Sequence, residues 1–556
     1  MFVCWQTSIA IFMPMRNTYY ITTPIYYIND VPHIGHAYTN IVSDVMARYM
    51  RLSGKDVKFL TGTDEHGQKI ERAAKAANKN PQDFADDVSV VFRNLCDVLH
   101  ISNDDFIRTT EDRHKITVRR IWEQLYQNGD IYLGKYSGWY AVRDEAFYDE
   151  GELVDGKAPT GALVEWVEED SYFFALSKYT EKLLHLYSRN TEFIKPRHRY
   201  NEVVSFVRRG LKDIAISRTT FQWGIKVPNI SHEGGVSHVI YVWLDALTNY
   251  LSAVDYYNAD KKPDISELVI DGGLDSQAQS GAINVSGNLR RFWPADLHVV
   301  GKDILRFHAV YWPAFLMSAD IELPKCIVAH GWWMNEGHKI SKSLGNVIDP
   351  VALVNEFGID PVRYFLLREM SFGQDGNFAR QSLIARNNNE LCNKLGNLVH
   401  RVLVFICNNT NAQVPHIQDI GEIYNSDLIQ YAIATREKVK AFMQSLELTY
   451  ALSSVFDLID HANAYIDTSA PWKLKNLDIN MMNVVLYVLV EAIRYIAILL
   501  IPFIPVSANK ILDLLCVPQN ERMLNKLESS CALSSYHSVV KNPEPLFKNI
   551  IIKDVT

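Results

Sequence analysis

The chain has 556 residues, of which 48% are hydrophobic and 22% are charged, as in an ordinary soluble globular protein. This composition excludes a disordered, collagen-like or acidic-tail protein, and the length predicts about three or four folding units. The 56 Lys and Arg and the 64 Asp and Glu give a net charge of −8, which disfavours generic nucleic-acid binding because such binding requires neutralisation of phosphates.

The first convincing elements are a strand, a helix and a second strand. Residues 19–23 are rich in β-formers, a helical pattern begins near His36 and stops at Gly54, and residues 57–60 again read as a strand. A strand–helix–strand unit of this kind predicts a parallel sheet. Ligands of such sheets bind beyond the carboxyl ends of the strands, so the loops that follow both strands are expected to face one crevice.

The pattern of residues divides the rest of the chain. Residues 130–229 are rich in glycine, aromatics and charge and read as a loop-rich insertion, the α/β pattern resumes at residues 239–243 and 297–301, and helical patterns dominate after Asp349. The predicted segments are an N-terminal extension (1–18), the first half of an α/β domain (19–129), the insertion (130–229), the second half (230–348), a linker (349–385) and a helical domain (386–556).

Apolar segments do not predict a membrane protein. Residues 1–14 are apolar but lack a basic region before a cleavage site, and Met13 and Met15 favour a mis-assigned start codon. Residues 484–505 are interrupted by Glu491 and Arg494, so the uninterrupted apolar stretch is too short to span a bilayer. We predict that it is a buried helix.

Cysteine spacing predicts a reducing, cytoplasmic location. No two of the seven cysteines form a CxxC pair, which argues against a disulfide framework and against cysteine zinc ligands. They are Cys4, Cys96, Cys326, Cys392, Cys407, Cys516 and Cys531.

Residues 32–36, Pro-His-Ile-Gly-His, form the first candidate site, between a predicted strand and helix. Gly35 allows a ligand to approach the backbone, and amides at a helix start favour phosphate. The imidazoles of His33 and His36 can donate hydrogen bonds to phosphoryl oxygens. The alternative is an ordinary turn that contains two histidines.

Residues 339–343, Lys-Ile-Ser-Lys-Ser, form the second candidate site, in a loop flanked by Gly337 and Gly345. The ammonium groups of Lys339 and Lys342 can act as point charges on a polyphosphate. A lysine- and serine-rich loop is by itself more often simply solvated, but the two motifs together, in this order, are unlikely to coincide by chance.

The two motifs resemble the signatures of class I aminoacyl-tRNA synthetases, with Ile340 in place of the usual methionine. Four further segments are similar to those of the bacterial methionyl-tRNA synthetases, and the resemblance extends from about Tyr19 nearly to the C-terminus: residues 20–27, 60–67, 241–246 and 301–304. It implies a Rossmann-type α/β catalytic domain split by a connective insertion, followed by an all-α anticodon-binding domain.

The resemblance implies a two-step reaction. L-Methionine and ATP, the latter with Mg²⁺, form methionyl-adenylate and pyrophosphate, and methionine then passes to the 3′ adenosine of tRNA(Met). His33, Gly35, His36, Asp303 and Lys342 are implied to bind ATP, and His33, His36, Lys339 and Lys342 to stabilise the transition state. Asp303 matches the ribose-binding position, although it can equally cap a helix before Ile304.

The implied methionine pocket suits a thioether, because aromatic rings accommodate sulfur and a Tyr hydroxyl or His N–H can donate to it weakly. Asp64 can pair with the substrate ammonium group. The implied pocket residues are Ile25, Tyr27, Asp64, Trp243, Ala246, Leu247, Tyr250, Ile304, Phe307 and His308.

Many relatives hold zinc in the insertion through CxxC pairs, but Ala141 and Asp144 stand where cysteines would be. We therefore expect no zinc and no other metal site. In the helical domain, the resemblance implies that Asn397, Arg401, Pro471 and Trp472 read the anticodon by stacking and by hydrogen bonds to base edges. Trp472 can instead be a partly buried anchor of its loop. We expect a monomer, because no oligonucleotide-binding barrel follows the helical region.

Two other functions remain open from the sequence. One is a different class I synthetase or a nucleotidyltransferase with the same phosphate motifs. The leucine, isoleucine and valine enzymes usually carry an editing insertion much larger than the roughly 100 residues here, which is the size of an ordinary domain, and a small nucleotidyltransferase would not need the helical C-terminal third. The other is a non-catalytic tRNA-binding relative, which the intact His33, His36, Lys339 and Lys342 disfavour.

Overall fold

A parallel sheet forms the centre of the N-terminal two thirds of the chain, and a helical region follows it. The computed structural model describes residues 17–28, 31–143, 146–148, 150–228, 237–257, 289–335, 337–339, 346–415, 417, 423, 425–527, 538–541 and 543–551.

The strands, in chain order, are β1 Thr18–Thr22, β2 Tyr26–Tyr27, β3 Asp56–Asp64, β4 Asp105–Arg108, β5 Ile131–Ala141, β6 Ala146–Tyr148, β7 Glu165–Phe174, β8 Ile194–Lys195, β9 Ile214–Ala215, β10 Ser217–Arg218, β11 Val239–Ile240, β12 Leu297–Gly301, β13 Ile327–His330, β14 Trp333–Asn335, β15 His338–Lys339 and β16 Gly376–Phe378.

The α-helices, in chain order, are α1 Ile34–Leu52, α2 Gln68–Ala76, α3 Pro81–Val98, α4 Asp112–Gln127, α5 Thr180–Arg189, α6 Arg197–Arg208, α7 Val242–Ser252, α8 Trp312–Ser318, α9 Pro350–Phe357, α10 Ile359–Arg368, α11 Arg380–Arg386, α12 Asn397–Asn409, α13 Asp427–Ser445, α14 Leu448–Ser469, α15 Pro471–Leu477, α16 Ile479–Leu500 and α17 Pro505–Leu514. A π-helical turn precedes α8 at Phe307–Tyr311, and a longer one precedes α12 at Asn387–Gly396.

The central sheet has the strand order β4-β3-β1-β12-β13-β8, and every pairing in it is parallel. The short β2 pairs with the end of β3 on the side of β1, which places Tyr27 opposite Asp64. Because the strands are parallel, the ends of β1, β3, β12 and β13 lie at the same edge of the sheet. The parallel sheet that the sequence predicts is confirmed.

Alternate residues of the sheet enter two different cores, as the period of a strand requires. Ile21, Phe59 and Val299 pack with α1 and with the C-terminal helices. Their neighbours Tyr20, Leu60 and Val300 pack with α4, α7 and α8. One core therefore runs continuously from the sheet into the helical region.

Strand β3 is longer than the predicted strand at residues 57–60. Residues 61–64 continue it because β4 pairs with Leu60–Thr63 on one side and β2 with Thr63 and Asp64 on the other. The short polar residues of this stretch suggest a loop, but the pairing on both sides extends the strand.

The insertion is more regular than the predicted loop-rich segment. Strands β5 and β7 form a ten-residue antiparallel ladder, flanked by β6 and β9. Within the range assigned to the insertion, Ile194–Lys195 instead pairs in parallel with β13 at the edge of the central sheet. A two-residue strand carries no readable periodicity, so its place depends on its partner alone.

Residues 239–243 also differ from the resumed sheet pattern. Only Val239–Ile240 is extended, and it pairs antiparallel with β10 rather than with the central sheet. Helix α7 begins at Val242. After Asp349, where helices are predicted throughout, β16 pairs in parallel with β14.

The long apolar segment is a core helix of the helical region, as the sequence predicts. By length and composition α16 is the one helix of the described chain that could cross a membrane, and 89% of its apolar window is buried inside the protein. Its two charges, Glu491 and Arg494, are each 1% exposed and form an ion pair, with the Arg494 Nε 3.0 Å from Glu491 Oε2.

Candidate active site

The start of α1 is closed by its own two histidines. His33 is the cap residue, and its Nδ1 accepts a hydrogen bond from the Gly35 N–H (3.1 Å), while the Nδ1 of His36 accepts from the His33 N–H (3.1 Å). With both Nδ1 atoms acting as acceptors, the ring proton of each neutral imidazole lies on Nε2. Burial and the neighbouring His33 ring hold the pKa of His36 well below its usual value, so His36 is neutral at pH 7.

Gly35 lies directly against the His33 ring. A Cβ atom at this position would be 2.9 Å from His33 Cε1 and 3.0 Å from Nδ1. A larger residue would therefore displace the ring and break the cap.

Asp303 follows the end of β12, at the same edge of the sheet as α1. Its Oδ1 accepts a hydrogen bond from Trp332 Nε1 (3.2 Å), and Lys302 Nζ lies 4.1 Å from the centre of the Trp332 ring. Gly301 pairs with His330, whose Nε2 is 2.8 Å from Thr39 Oγ1 on α1. Asp303 and the start of α1 therefore lie at the same, carboxyl edge of the sheet.

The lysine motif lies only in part within the described residues. Lys342 lies outside them, and for Lys339 the structure gives the backbone, which pairs in β15 with Met334. After the motif, the Ile348 carbonyl oxygen accepts a hydrogen bond from the Ile34 N–H (3.1 Å). A backbone hydrogen bond therefore connects the chain after the lysine motif to the first residue of α1.

Most of the implied methionine-binding residues belong to one core cluster or pack against it. Leu247 and Tyr250 on α7 are buried in one core cluster, and five others pack against it: Ile25, Tyr27, Trp243, Ile304 and Phe307. The rings of Trp243 and Phe307 stack at 3.6 Å with an interplanar angle of 6°. Ala246 is buried on α7, and Asp64 is buried at the end of β3.

His308 and Tyr250 form a hydrogen-bonded pair. His308 Nδ1 is 3.0 Å from the Ile304 carbonyl oxygen, and its Nε2 is 2.7 Å from Tyr250 Oη. Burial lowers the pKa of His308 to about 4, so the ring is neutral and the Tyr250 O–H donates to it. Both hydrogens are therefore engaged within the protein, whereas the sequence suggested that one of them donates to a substrate sulfur.

A buried Asp–His cluster beside the pocket was not identified from the sequence. Asp245, on α7, accepts hydrogen bonds from His66 Nδ1 and His114 Nε2, both at 2.7 Å. Asp245 and His66 lie in two of the segments that carry the resemblance. No spacing could reveal the pairing, because His114 and His66 lie 131 and 179 positions before Asp245 in the sequence.

Three of the four implied anticodon residues line a groove of about 320 Å³. Arg401, Pro471 and Trp472 line it, together with His400 and Phe405. Arg401 Nη2 is 2.6 Å from Asp467 Oδ1, and its guanidinium carbon is 5.9 Å from the centre of the Trp472 ring. Asn397 is exposed at the start of α12 and is not among the lining residues.

The region that corresponds to a zinc knuckle packs around alanines. Ala141, Ala158 and Ala162 form a small buried cluster, while Asp144 lies outside the described residues. Over the described ranges, no three His, Cys, Asp or Glu side chains are grouped so that they could hold a metal ion.

Comparison with known proteins agrees with this geometry. A family model described as class I tRNA synthetases (M) matches residues 19–165 and 152–403, and one described as the anticodon binding domain of methionyl tRNA ligase matches residues 414–556. The methionine–tRNA ligase of Rickettsia conorii is 56% identical over 530 residues, which are 95% of this chain and 98% of that protein. That of Mesorhizobium japonicum is 47% identical over 93% of this chain and 95% of its own length.

Solved structures give the same result. Mycobacterium tuberculosis methionyl-tRNA synthetase in complex with methionyl-adenylate matches with a TM-score of 0.85 and 43% identity, over 95% of this chain and 99% of that one. Its apo form matches with a TM-score of 0.79 and 41% identity, over 96% and 98%.

The parallel sheet, the paired histidines at the start of α1 and the helical C-terminal region define a class I aminoacyl-tRNA synthetase. Within that class, the chain belongs to the methionyl-tRNA synthetase family. The resemblance seen in the sequence is confirmed.

Proposed function

We propose that this chain activates L-methionine with ATP and transfers the methionyl group to the 3′ adenosine of tRNA(Met). The observation that carries the proposal is the hydrogen bond between Ile34 N–H and the Ile348 carbonyl oxygen. It joins the histidine motif to Ile348, five residues after the end of the lysine motif, so that both motifs act on one nucleotide.

In the first step, a carboxylate oxygen of methionine attacks the α-phosphorus of ATP. The bond from that phosphorus to the oxygen that bridges to the β-phosphate breaks, and pyrophosphate leaves with the electron pair and with Mg²⁺. Positioning and charge stabilisation supply most of the acceleration of such reactions. His33 and His36 donate from Nε2 to the phosphoryl oxygens, because their Nδ1 atoms are engaged in the cap.

Other groups hold the nucleotide. Gly35 leaves room for the His33 ring, which faces the phosphates. The first amides of α1 are engaged within the protein, so the helix attracts the negative charge of the phosphates through its dipole. Asp303, oriented by Trp332, accepts hydrogen bonds from the ribose. Lys339 and Lys342 supply positive charge to the departing pyrophosphate, a role that depends on the sequence motif.

Methionine is held by its two ends. The Asp64 carboxylate pairs with the ammonium group, opposite Tyr27 at the end of the sheet. The thioether lies among the aromatic side chains of Trp243, Phe307 and Tyr250, which suit a polarizable sulfur. The neutral His308 fixes the Tyr250 hydroxyl and puts no charge next to the apolar chain.

In the second step, a ribose hydroxyl of the terminal adenosine attacks the carbonyl carbon of methionyl-adenylate, and AMP leaves. The helical region recognises the anticodon, with one unpaired base stacked on Trp472 in the groove beside Arg401. Asn397, one helical turn before Arg401, contacts a neighbouring base.

We also propose a cytoplasmic monomer without structural zinc. The scattered cysteines support the location, and the alanine cluster supports a knuckle that folds without metal. A near-stoichiometric zinc content of the purified protein, or a dimer mass in light scattering, would contradict these statements.

The decisive experiment is ATP–pyrophosphate exchange measured over a panel of amino acids. Exchange that depends on methionine alone supports the proposal. Exchange with another amino acid indicates a different class I synthetase, and no exchange with any of them indicates a non-catalytic tRNA-binding protein.

A further inference from the structure

The Asp245 carboxylate is buried between two histidines. It is fully shielded from solvent and lies 2.7 Å from both His66 Nδ1 and His114 Nε2. Burial acts to raise the pKa of Asp245, but the two histidines outweigh it and lower the pKa to about 2. The side chain is therefore an anion at pH 7, with one histidine on each oxygen.

The three residues come from three separate elements. His66 lies two residues after Asp64, at the end of β3, and Asp245 lies on α7 between Trp243 and Ala246. His114 comes from α4 and reaches α7 through its Nε2. The Asp245 carboxylate thus joins the element that carries the ammonium-binding residue to the helix that forms the wall of the pocket.

Each histidine is itself held in place. His114 Nδ1 is 3.0 Å from Ser252 Oγ, about two helical turns after Asp245 on α7. The His66 ring contacts the Trp223 ring edge-on at 5.5 Å. Trp223 Nε1 donates to the Glu65 carbonyl oxygen (2.6 Å), and Gly67 N–H donates to the Trp223 carbonyl oxygen (3.0 Å).

A purely structural role explains this arrangement poorly. Desolvation of a carboxylate is costly, and well-packed apolar residues could join two elements with equal or greater stability. What a doubly hydrogen-bonded carboxylate adds is direction, because both oxygens require a donor at a fixed distance and angle. The cluster fixes the position of β3 relative to α7.

We propose that Asp245 is a positioning residue for methionine, which holds Asp64 and the Trp243–Leu247 wall at the separation that the bound amino acid requires, through His66 and His114. The inference deepens the proposed function and depends on it. It assigns no direct contact between Asp245 and the substrate.

Asp245→Asn tests the proposal, because an amide keeps the shape but offers one acceptor oxygen and one NH₂ to two N–H donors. In ATP–pyrophosphate exchange the KM for methionine should rise about tenfold or more, while the KM for ATP stays unchanged. A variant that is merely partly unfolded loses kcat without a selective change in either KM.

Conservative replacements of the histidines sharpen the test. His66→Asn places an N–H close to the position of Nδ1, and His114→Gln places one close to that of Nε2, so both should keep the KM for methionine near that of the unsubstituted protein. His66→Ala and His114→Ala remove the donors and should raise it. If Asp245→Asn does not fold, the pair His114→Gln and His114→Ala decides the question.

The matched control is Asp130→Asn. Asp130 is also buried and accepts hydrogen bonds from Tyr179 Oη (2.5 Å), Ser318 Oγ (2.7 Å) and Lys178 Nζ (2.9 Å), at the start of the insertion. A rise in the KM for methionine in Asp130→Asn equal to that in Asp245→Asn would overturn the proposal. So would equal rises for methionine and ATP, or no change in either. Absence of methionine-dependent exchange in the unsubstituted protein would instead overturn the proposed function, and this inference with it.

Discussion

The guanidinium of Arg363 lies 2.7 Å from the carboxylate of Asp44, and neither side chain reaches solvent. Asp44 is on α1, the helix that begins with the two histidines, and Arg363 is on α10. Arg363 also donates to the carbonyl oxygens of Phe503 (2.9 Å) and Pro502 (3.0 Å), in the turn between α16 and α17. One buried side chain therefore ties the catalytic helix to the helical region.

Replacement of Arg363 by methionine should strongly destabilise the protein. The Asp44 carboxylate would remain buried with only Arg48 and Ser102 as partners. Loss of one partner of a buried ion pair costs about 3–5 kcal/mol, which urea unfolding followed by circular dichroism can measure.

Arg51→Met is the control. Arg51 is also on α1, but it pairs with Asp104 at the surface, where the two side chains are 31% and 42% exposed. Exposed pairs contribute about 1 kcal/mol or less. Equal losses of unfolding free energy in the two variants would show that the buried Asp44–Arg363 pair stabilises the protein no more than the exposed pair does.

Local patterns in the sequence predicted the central sheet, the catalytic helix and the buried apolar helix. The start of α1 was expected near His36, where the helical spacing of apolar residues begins, and histidine is not among the usual caps Ser, Thr, Asp and Asn. The structure places it at Ile34, since the His33 ring itself accepts the hydrogen bond that a cap provides.

Long-range pairings could not be predicted. The strand at Ile194–Lys195 is defined by its partner β13, and Asp245, His66 and His114 are brought together only by the packing of three elements. The resemblance to the family implied the candidate site residue by residue, whereas no local pattern indicated that Asp245, His66 and His114 are in contact.

His36→Ala should reduce catalysis far more than methionine binding. Removal of one donor to a developing anion lowers kcat by about 10²–10³-fold, and the same change removes the reciprocal bond of the helix cap. We expect the loss in the kcat of ATP–pyrophosphate exchange, with the KM for methionine unchanged.

The companion variant is His36→Gln. A glutamine at this position can accept from the His33 N–H through its oxygen and still present an NH₂ group, as in common capping boxes. It should keep much of the activity. If His36→Gln and His36→Ala are equally impaired, the Nε2–H of His36 is not the group that matters.

Buried His308 should make the protein less stable in acid. Burial lowers its pKa to about 4 in the folded state, against about 6.5 in the unfolded chain. The unfolded chain therefore binds a proton first as the pH falls, and the stability that is complete above pH 6.5 declines down to pH 4. For this one group the decline is at most about 3 kcal/mol.

Urea midpoints at several pH values between 7.5 and 4.5 measure this effect. His308→Gln should show a shallower decline than the unsubstituted protein, because glutamine does not titrate. His198→Gln, at an exposed histidine on α6, should leave the slope unchanged. Parallel slopes for His308→Gln and the unsubstituted protein would contradict the assignment of a neutral His308.

Trp472→Ala should impair tRNA charging and leave amino-acid activation intact. The Trp472 ring is 43% exposed at the mouth of the groove, and stacking of a base on an aromatic side chain contributes about 1–3 kcal/mol. The KM for tRNA should therefore rise about 5- to 150-fold, while ATP–pyrophosphate exchange without tRNA stays the same.

Tyr450→Ala provides the comparison within the same helical region, because Tyr450 is 52% exposed on α14 and lies outside the groove. It should leave the KM for tRNA unchanged.

Arg401 lies between Asp467 and the Trp472 ring. Asp467→Asn should leave Arg401 in place but free it from its carboxylate partner, and should lower the KM for tRNA if the guanidinium contacts the anticodon. If Trp472→Ala instead reduces exchange without tRNA as much as it reduces charging, Trp472 supports the fold of the domain and does not stack on a base.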